Sequence, residues 1–340
     1  MKDSLKIAIV GATGYVGLEL IKILSNHPKA KIVYLCAQKA IGSSVNRFDK
    51  RIKKKLPKIS KINKIDWKSV DVVFSALPNG EAQKIAKILP NKTKLIDLSA
   101  DFRLRNFKTF EKWYGMKHKC KKLIKNSLYS VTEFSRKSIS KYKIISCPGC
   151  YPTSVQLPLI PLLRKNFIKT KNIIIDAKSG YSGGGKNIKK RFPHVDILNS
   201  VSVYGMGYHR HTPEIEQELS KSANMKVNVM FTPHLIPMFR GILSTIYVEP
   251  LNNIDALKIY NFLKMYHKNN FFIKFAKFNN AISTDEVVNT NYCKISVCKN
   301  KEKNKVMIIS AIDNLIKGAS GQAVQNMNLA FNLKETLSLK

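Results

Sequence analysis

The chain opens on a short apolar run, Ile7 to Val10, followed by Gly11, Gly14 and Gly17 and then by apolar positions at Leu18, Leu20, Ile21 and Leu24. An apolar run, a glycine-rich break and helical spacing predict a strand, a tight turn and an amphipathic helix. The helix should stop near Asn26-His27-Pro28. KIVYLCA (31–37) reads as a second strand, which makes a βαβ unit with a right-handed crossover. The alternation continues. DVVFSALPNG (71–80) is a strand and turn, EAQKIAKIL (81–89) a helix, KLIDLSA (94–100) a strand, and KIISCPGC (143–150) ends another. Such alternation predicts a doubly wound parallel sheet.

Beyond residue 150 the texture changes. NIIIDAKSG, VNVMFTPHLIPM, GILSTIYVEP, FFIKFAKF and CKISVCKN are strand-like, with fewer helices between them. They predict a mixed, mainly antiparallel sheet. VMIISAIDN (306–314) reads as a last strand and GASGQAVQNMNLAFNL (318–333) as a closing helix that returns to the first domain. The expected fold is α/β: a Rossmann-type doubly wound parallel sheet (1–149 and 313–340) plus a second α+β domain (150–312).

Composition narrows the function. Apolar content is 44% and the apolar runs are short, so no membrane span is expected. MKDSLKIAIV leads almost directly into a strand, leaving no room for a signal or transit peptide, and a cytoplasmic location is expected. Six scattered cysteines predict free thiols in a reducing compartment. The net charge is +37, which raises nucleic acid as a partner. Yet only nine of the 59 basic residues are Arg, and the lysines are spread along the whole chain. Readers of phosphate and bases favour the planar fork of Arg. We therefore expect no nucleic-acid or membrane partner, and read RIKKKLPKISKINK (51–64) as a solvated face or loop.

GATGYVG spaces its glycines differently from GxGxxG, but the physics is shared. Glycine permits the turn, the backbone can approach a pyrophosphate, and the helix N-terminus supplies N–H groups and partial positive charge. A bare turn is the alternative reading. An NAD site usually carries an acid at the end of the second strand for the ribose hydroxyls. Here the strand ends in Cys36-Ala37-Gln38-Lys39, and no carboxylate occurs from Lys22 to Phe48. The missing acid, more than Lys39, favours NADP.

SCPGCYPT (146–153) brackets Pro-Gly with Cys147 and Cys150. Zinc would need four ligands and no second CxxC exists, so no metal is expected. Cys150 follows a strand and precedes a helical pattern, where the helix terminus favours thiolate. A buried packing role is the first reading for Cys36, Cys293 and Cys298. A thiol nucleophile beside a nicotinamide cofactor points to hydride transfer to or from a thioester. The acid/base is sought in VYGMGYHRHTPEIEQEL (203–219), where His209 and His211 precede Thr212 as expected N-cap and Pro213 at the first helical position. His27, His118, His194, His234 and His267 have no such context.

Together these residues resemble the N-acetyl-gamma-glutamyl-phosphate reductases within the semialdehyde dehydrogenase family. GATGYVG, DLSADFRL (97–104), PGCYPT (148–153), SGYSGGGK (179–186), HRHTPEI (209–215), LIPMFRGIL (235–243) and DNLIKGASGQAVQNMNL (313–329) follow the family order over nearly the whole chain. The resemblance implies an NADPH-dependent reduction of N-acetyl-L-glutamyl 5-phosphate to the 5-semialdehyde in arginine biosynthesis. It implies Cys150 as nucleophile, with His209, the preferred choice, or His211 as acid/base. Gly11, Thr13, Gly14, Tyr15 and Val16 would hold the pyrophosphate, and Ser182, Gly183 and Asn326 would line the nicotinamide side. Arg103 and Arg240 would hold substrate anions. The first domain becomes dinucleotide-binding, the second catalytic and dimerising, and a homodimer or homotetramer is implied. Cys147 stands where the family usually has Asn, and is a candidate disulfide partner of Cys150 under oxidation. Reduction of an aminoadipyl or aspartyl phosphate is the enzymatic alternative; a dinucleotide-sensing, nucleic-acid-binding regulator is the other.

Overall fold

The computed structural model describes residues 4–193, 195–251, 253–302 and 304–340, with only the backbone of Lys189 and Arg191. His194, set aside on sequence grounds, lies outside the described residues. The chain forms two units, Met1–Pro148 with Ala319–Lys340, and Gly149–Gly318.

In the first unit, seven strands form one sheet: β1 Leu5–Val10, β2 Ala30–Cys36, β3 Ile59–Ser60, β4 Val72–Ser75, β5 Lys94–Asp97, β6 Ser127–Tyr129 and β7 Ile144–Ser146. Their order is β3-β2-β1-β4-β5-β7-β6 and every pairing is parallel. Ile7, Ala8 and Ile9 on β1 and Val72, Val73 and Phe74 on β4 are all fully buried, as expected of central parallel strands covered on both faces. The helix Tyr15–Ser25 follows β1 directly. The closing helix Gly321–Ala330 packs on it and on β5, tied in by a 2.9 Å bond between His27 Nε2 and Asn328 Oδ1. The segment 51–64 is less simple than a solvated loop. Its isoleucines Ile52 and Ile59 are buried, and Ile59–Ser60 adds the edge strand β3, while most of its lysines stay exposed.

The second unit holds β8 Ile173–Gly180, β9 Ser202–Val203, β10 Val229–Ile236, β11 Ile242–Val248, β12 Ile273–Phe275, β13 Cys293–Lys299 and β14 Val306–Ile312. They are ordered β12-β13-β14-β11-β8-β10-β9. The β8–β10 and β12–β13 pairs are parallel and the other four antiparallel, so the sheet is mixed and mainly antiparallel. Burial alternates residue by residue along β10 and β11, the pattern of a sheet covered on one face. The helices Cys150–Arg164, Thr212–Ala223 and Ala256–Tyr266 supply that cover.

The chain leaves this unit at Gly318, so residues 313–318, read from sequence as part of the first domain, sit with the second. Side chains explain this. Asp313 accepts from Arg240 Nη1 (3.1 Å) and Asn289 N (2.7 Å), and Asn314 bonds Gly241 N (2.7 Å) and Ser182 Oγ (2.9 Å).

Candidate active site

In the first unit the glycine loop joins β1 to its helix. Gly11 has φ +93°, and a Cβ there would stand 2.2 Å from the Ala76 carbonyl oxygen; one on Gly17 would stand 2.1 Å from the Gly11 oxygen. These two glycines are required by the turn itself. Gly14 is not: its φ is −75° and the nearest atom to an added Cβ is 3.6 Å away. It caps the helix without a side-chain bond, and no acid occupies the first turn. A bare cap on an open side is what a backbone-held anion requires, so the loop fits a dinucleotide pyrophosphate. Thr13, Tyr15 and Val16 are half-buried around it.

At the end of β5, Asp97 is fully buried and accepts from Ser99 N (2.9 Å) and Oγ (3.0 Å). Burial, reinforced by the nearby Asp101 charge, pushes its pKa up to about 7. Burial also raises Asp101, although Gly80 N (2.6 Å) and Gln83 N (3.2 Å) donate to it. Arg103, nearly buried, donates through Nε to the Cys147 carbonyl (2.9 Å) and through Nη2 to that of Leu98 (2.9 Å). It therefore steadies the segments that leave β5 and β7. Asn326 is fully buried: its oxygen accepts from Ser130 Oγ (2.8 Å) and Thr132 Oγ1 (2.7 Å), and its amide donates to Cys147 Sγ (3.6 Å). Burial pushes the Cys147 thiol up to about 12, against the opposing Asn326 bond.

In the second unit Cys150 is the first residue of the helix Cys150–Arg164, with Gly149 as N-cap, and it is partly exposed. This helix keeps Pro158 and Pro161 in its interior, and nearly all of it is buried. Gly149 is fastened from both sides. Its N–H donates to Glu214 Oε1 (2.7 Å), a buried carboxylate that sequence reasoning left without a role, and its carbonyl accepts from Thr153 N (3.0 Å) and Oγ1 (3.1 Å).

His211 is the N-cap of the helix Thr212–Ala223, one residue ahead of the expected cap. Its imidazole lies against Gly149; a Cβ on that glycine would meet His211 Nε2 at 2.3 Å. His209 is placed differently. Its ring sits in a box of Tyr151 (5.6 Å between centroids), Tyr204 (5.2 Å), Phe231 (5.2 Å) and His211 (4.8 Å), and its Nδ1 accepts from His211 N. The phenol of Tyr151 donates to the His234 carbonyl, and burial holds its pKa well above the ordinary value.

Ser182 and Gly183 lie in the short helical turn Tyr181–Gly184 after β8. Arg240 is nearly buried, held by Asp313. The second unit therefore brings together Cys150, His211 and His209; Arg103 and Asn326 belong to the first. Glu214 and Asp313 lie within the motifs HRHTPEI and DNLIKGASGQAVQNMNL, but their roles arise from contacts distant in sequence that the motifs do not show.

Comparison with known proteins agrees with this layout. Residues 6–142 match the family model "Semialdehyde dehydrogenase, NAD binding domain", and residues 150–314 match "Semialdehyde dehydrogenase, dimerisation domain". A probable chloroplastic N-acetyl-gamma-glutamyl-phosphate reductase of Arabidopsis thaliana is 44% identical over 99% of this chain and 84% of its own length. The N-acetyl-gamma-glutamyl-phosphate reductase of Ehrlichia ruminantium (strain Gardel) is 44% identical over 100% and 98%. Among solved structures, aspartate semialdehyde dehydrogenase II of Vibrio cholerae shares the fold, with TM-score 0.74 at 18% identity over 97% of this chain and 98% of that one.

Proposed function

The chain belongs to the N-acetyl-gamma-glutamyl-phosphate reductases of the semialdehyde dehydrogenase family, and on that premise we propose that it reduces N-acetyl-L-glutamyl 5-phosphate to N-acetyl-L-glutamate 5-semialdehyde with NADPH. It is an NAD(P)-dependent oxidoreductase of arginine biosynthesis. The observation that carries the mechanism is the seating of His211 against the glycine that precedes Cys150.

In this reading Gly11, Thr13, Gly14, Tyr15 and Val16 hold the pyrophosphate of the cofactor, and Ser182 and Gly183 line its nicotinamide side. Asn326, whose side chain bonds Ser130, Thr132 and Cys147, is kept as a further residue for the cofactor. When bound, the reduced nicotinamide supplies the hydride that converts a thioester to an aldehyde.

The start of the helix stabilises Cys150 as thiolate, and His211 takes the thiol proton. Sulfur attacks the acyl carbon, the C–S bond forms, and phosphate leaves with the electrons of the C–O bond. The positive end of the helix dipole favours the charge that the carbonyl oxygen gains. After reduction the C–S bond breaks, the aldehyde departs and His211 returns its proton to sulfur. We take His211 as the acid/base in place of the sequence-preferred His209, because His209 is boxed by three aromatic rings and its Nδ1 accepts from the His211 N–H. Arg240, oriented by Asp313, holds a substrate anion; Arg103 acts on the loop before Cys150 as well as on charge.

Assembly is proposed through the open face of the second sheet. Met230, Ile174, Tyr247 and Met307 form one row across β10, β8, β11 and β14, and Met230 is 66% exposed. The match to a dimerisation domain supports a homodimer or a tetramer built from it. Light scattering on Met230→Lys tests this: a lower mass than wild type is expected, and an unchanged mass contradicts it. No helix among the described residues is long and apolar enough to cross a membrane. The six free cysteines support a reducing cytoplasm.

The substrate assignment is tested by NADPH oxidation with N-acetyl-glutamyl, aminoadipyl and aspartyl phosphates side by side. The N-acetyl-glutamyl compound should give the highest kcat/KM. Preference for either of the others would replace the substrate while leaving the thiol chemistry in place.

A further inference from the structure

Glycine is a poor helix residue, because it gives up the most chain entropy and packs nothing. Gly318 nevertheless stands in the middle of the π-helical turn Ile316–Ser320, a kind of turn that often marks functional sites. It is not among the glycines with positive φ, so the backbone conformation does not call for glycine. The neighbouring chain does. A Cβ on Gly318 would stand 2.7 Å from Cys150 Cβ and 3.2 Å from Cys150 Cα. Ile312 Cδ1, at 3.3 Å, is the end of a flexible side chain and can give way.

Cys150 cannot give way so easily. It begins its helix, and Gly149 behind it is held by Glu214 and Thr153. The turn is held as firmly. Asp313 Oδ1 accepts from Leu315 N (2.8 Å) and Ile316 N (3.1 Å), and the Asp313 carbonyl accepts from Gly318 N (2.9 Å). Asp313 Oδ2 anchors the same residue to Asn289 N and Arg240. Two fastened pieces of chain therefore meet with no space for one methyl group.

We propose that Gly318 is a positioning residue for the nucleophile: its missing side chain leaves Cys150 at the place its helix start dictates, and Asp313 keeps the turn there. The proposal rests on Cys150 being the nucleophile. Gly318→Ala should push the base of the cysteine side chain away from the helix terminus. We expect kcat to fall about tenfold or more, which is the loss of ~1.4 kcal/mol of transition-state stabilisation, with KM for the acyl phosphate little changed. The pH profile of Cys150 alkylation by iodoacetamide should move to higher pH. NADPH binding, followed by fluorescence, should be unaffected.

A thermal-unfolding cycle separates positioning from general damage. Gly318→Ala should lower Tm in the wild-type background and much less in a Cys150→Gly background, where no Cβ opposes the new methyl. Equal Tm losses in both backgrounds, or an unshifted alkylation profile, would overturn the proposal. The cycle needs no turnover. Failure of the nucleophile assignment is read separately, as full activity in Cys150→Ala.

Discussion

The imidazole of His211 rests on the α-carbon of Gly149, so closely that a methyl group there would lie 2.3 Å from Nε2 and 2.6 Å from Cε1. The residue before the proposed nucleophile and the proposed base are thus in contact. His211→Asn should lower kcat by about 10²–10⁴, the usual yield of a positioned acid/base, and abolish the acidic limb of the pH–kcat/KM profile. His209→Asn should cost less and keep that limb. Steady-state kinetics across pH distinguishes them, and a greater loss in His209→Asn would reverse the assignment.

Glu214 offers a stability test of the same loop. Its carboxylate accepts the Gly149 N–H at 2.7 Å in a buried setting. Glu214→Ala leaves that donor unmet and should cost about 1–3 kcal/mol, whereas Glu214→Gln retains an acceptor and should cost less. Urea unfolding measures both. Equal losses would show that the bond contributes little.

The cysteines should differ sharply in reactivity. Burial raises the thiol pKa of Cys36 and Cys120, and lifts Cys147 to about 12. Iodoacetamide near pH 8, with peptide mapping, should mark Cys150 first. Oxidative loss of activity should persist in Cys147→Ser, because the Cys147 thiol is buried against Asn326. Protection by that substitution would instead establish a disulfide with Cys150.

Asp97 makes stability depend on pH in a defined direction. Its folded pKa is raised to about 7 by burial and the Asp101 charge, while an unfolded Asp titrates near ~3.9. Between these values the folded chain holds the extra proton, so this contribution to stability is complete below about pH 4 and is lost as pH rises through about 7. Asp97→Asn should flatten that decline, seen by comparing urea midpoints at pH 5 and pH 8. An unchanged slope would mean that Asp97 is ionised at little cost.

Much of this was legible in the chain. The run Ile7–Val10 and the glycine loop predict β1, its turn and its helix, because a buried parallel strand and a tight turn leave strong local marks. The all-parallel first sheet and the mixed second sheet follow from similar patterns. Short edge strands escape this reading. Ile59–Ser60 is two residues inside a lysine-rich run, too short for any period to show. At the site, the thiol and the paired histidines are marked by turn chemistry, but the choice between His209 and His211 is not. The two rings touch, with centroids 4.8 Å apart, and only the contact with Gly149, distant in sequence, sets His211 apart from His209. Asp313 and Gly318 act through contacts with Arg240, Asn289 and Cys150, none of them neighbours in sequence.

The claim on which the chemistry depends is an acyl group carried by one sulfur. Wild-type protein mixed with N-acetyl-glutamyl phosphate in the absence of NADPH, quenched in acid and mapped by mass spectrometry, tests it directly. The account predicts an N-acetyl-glutamyl thioester on the peptide that contains Cys150, absent from Cys150→Ala, which should bind NADPH yet fail to oxidise it. No adduct on that peptide, together with near-normal turnover by Cys150→Ala, would contradict it.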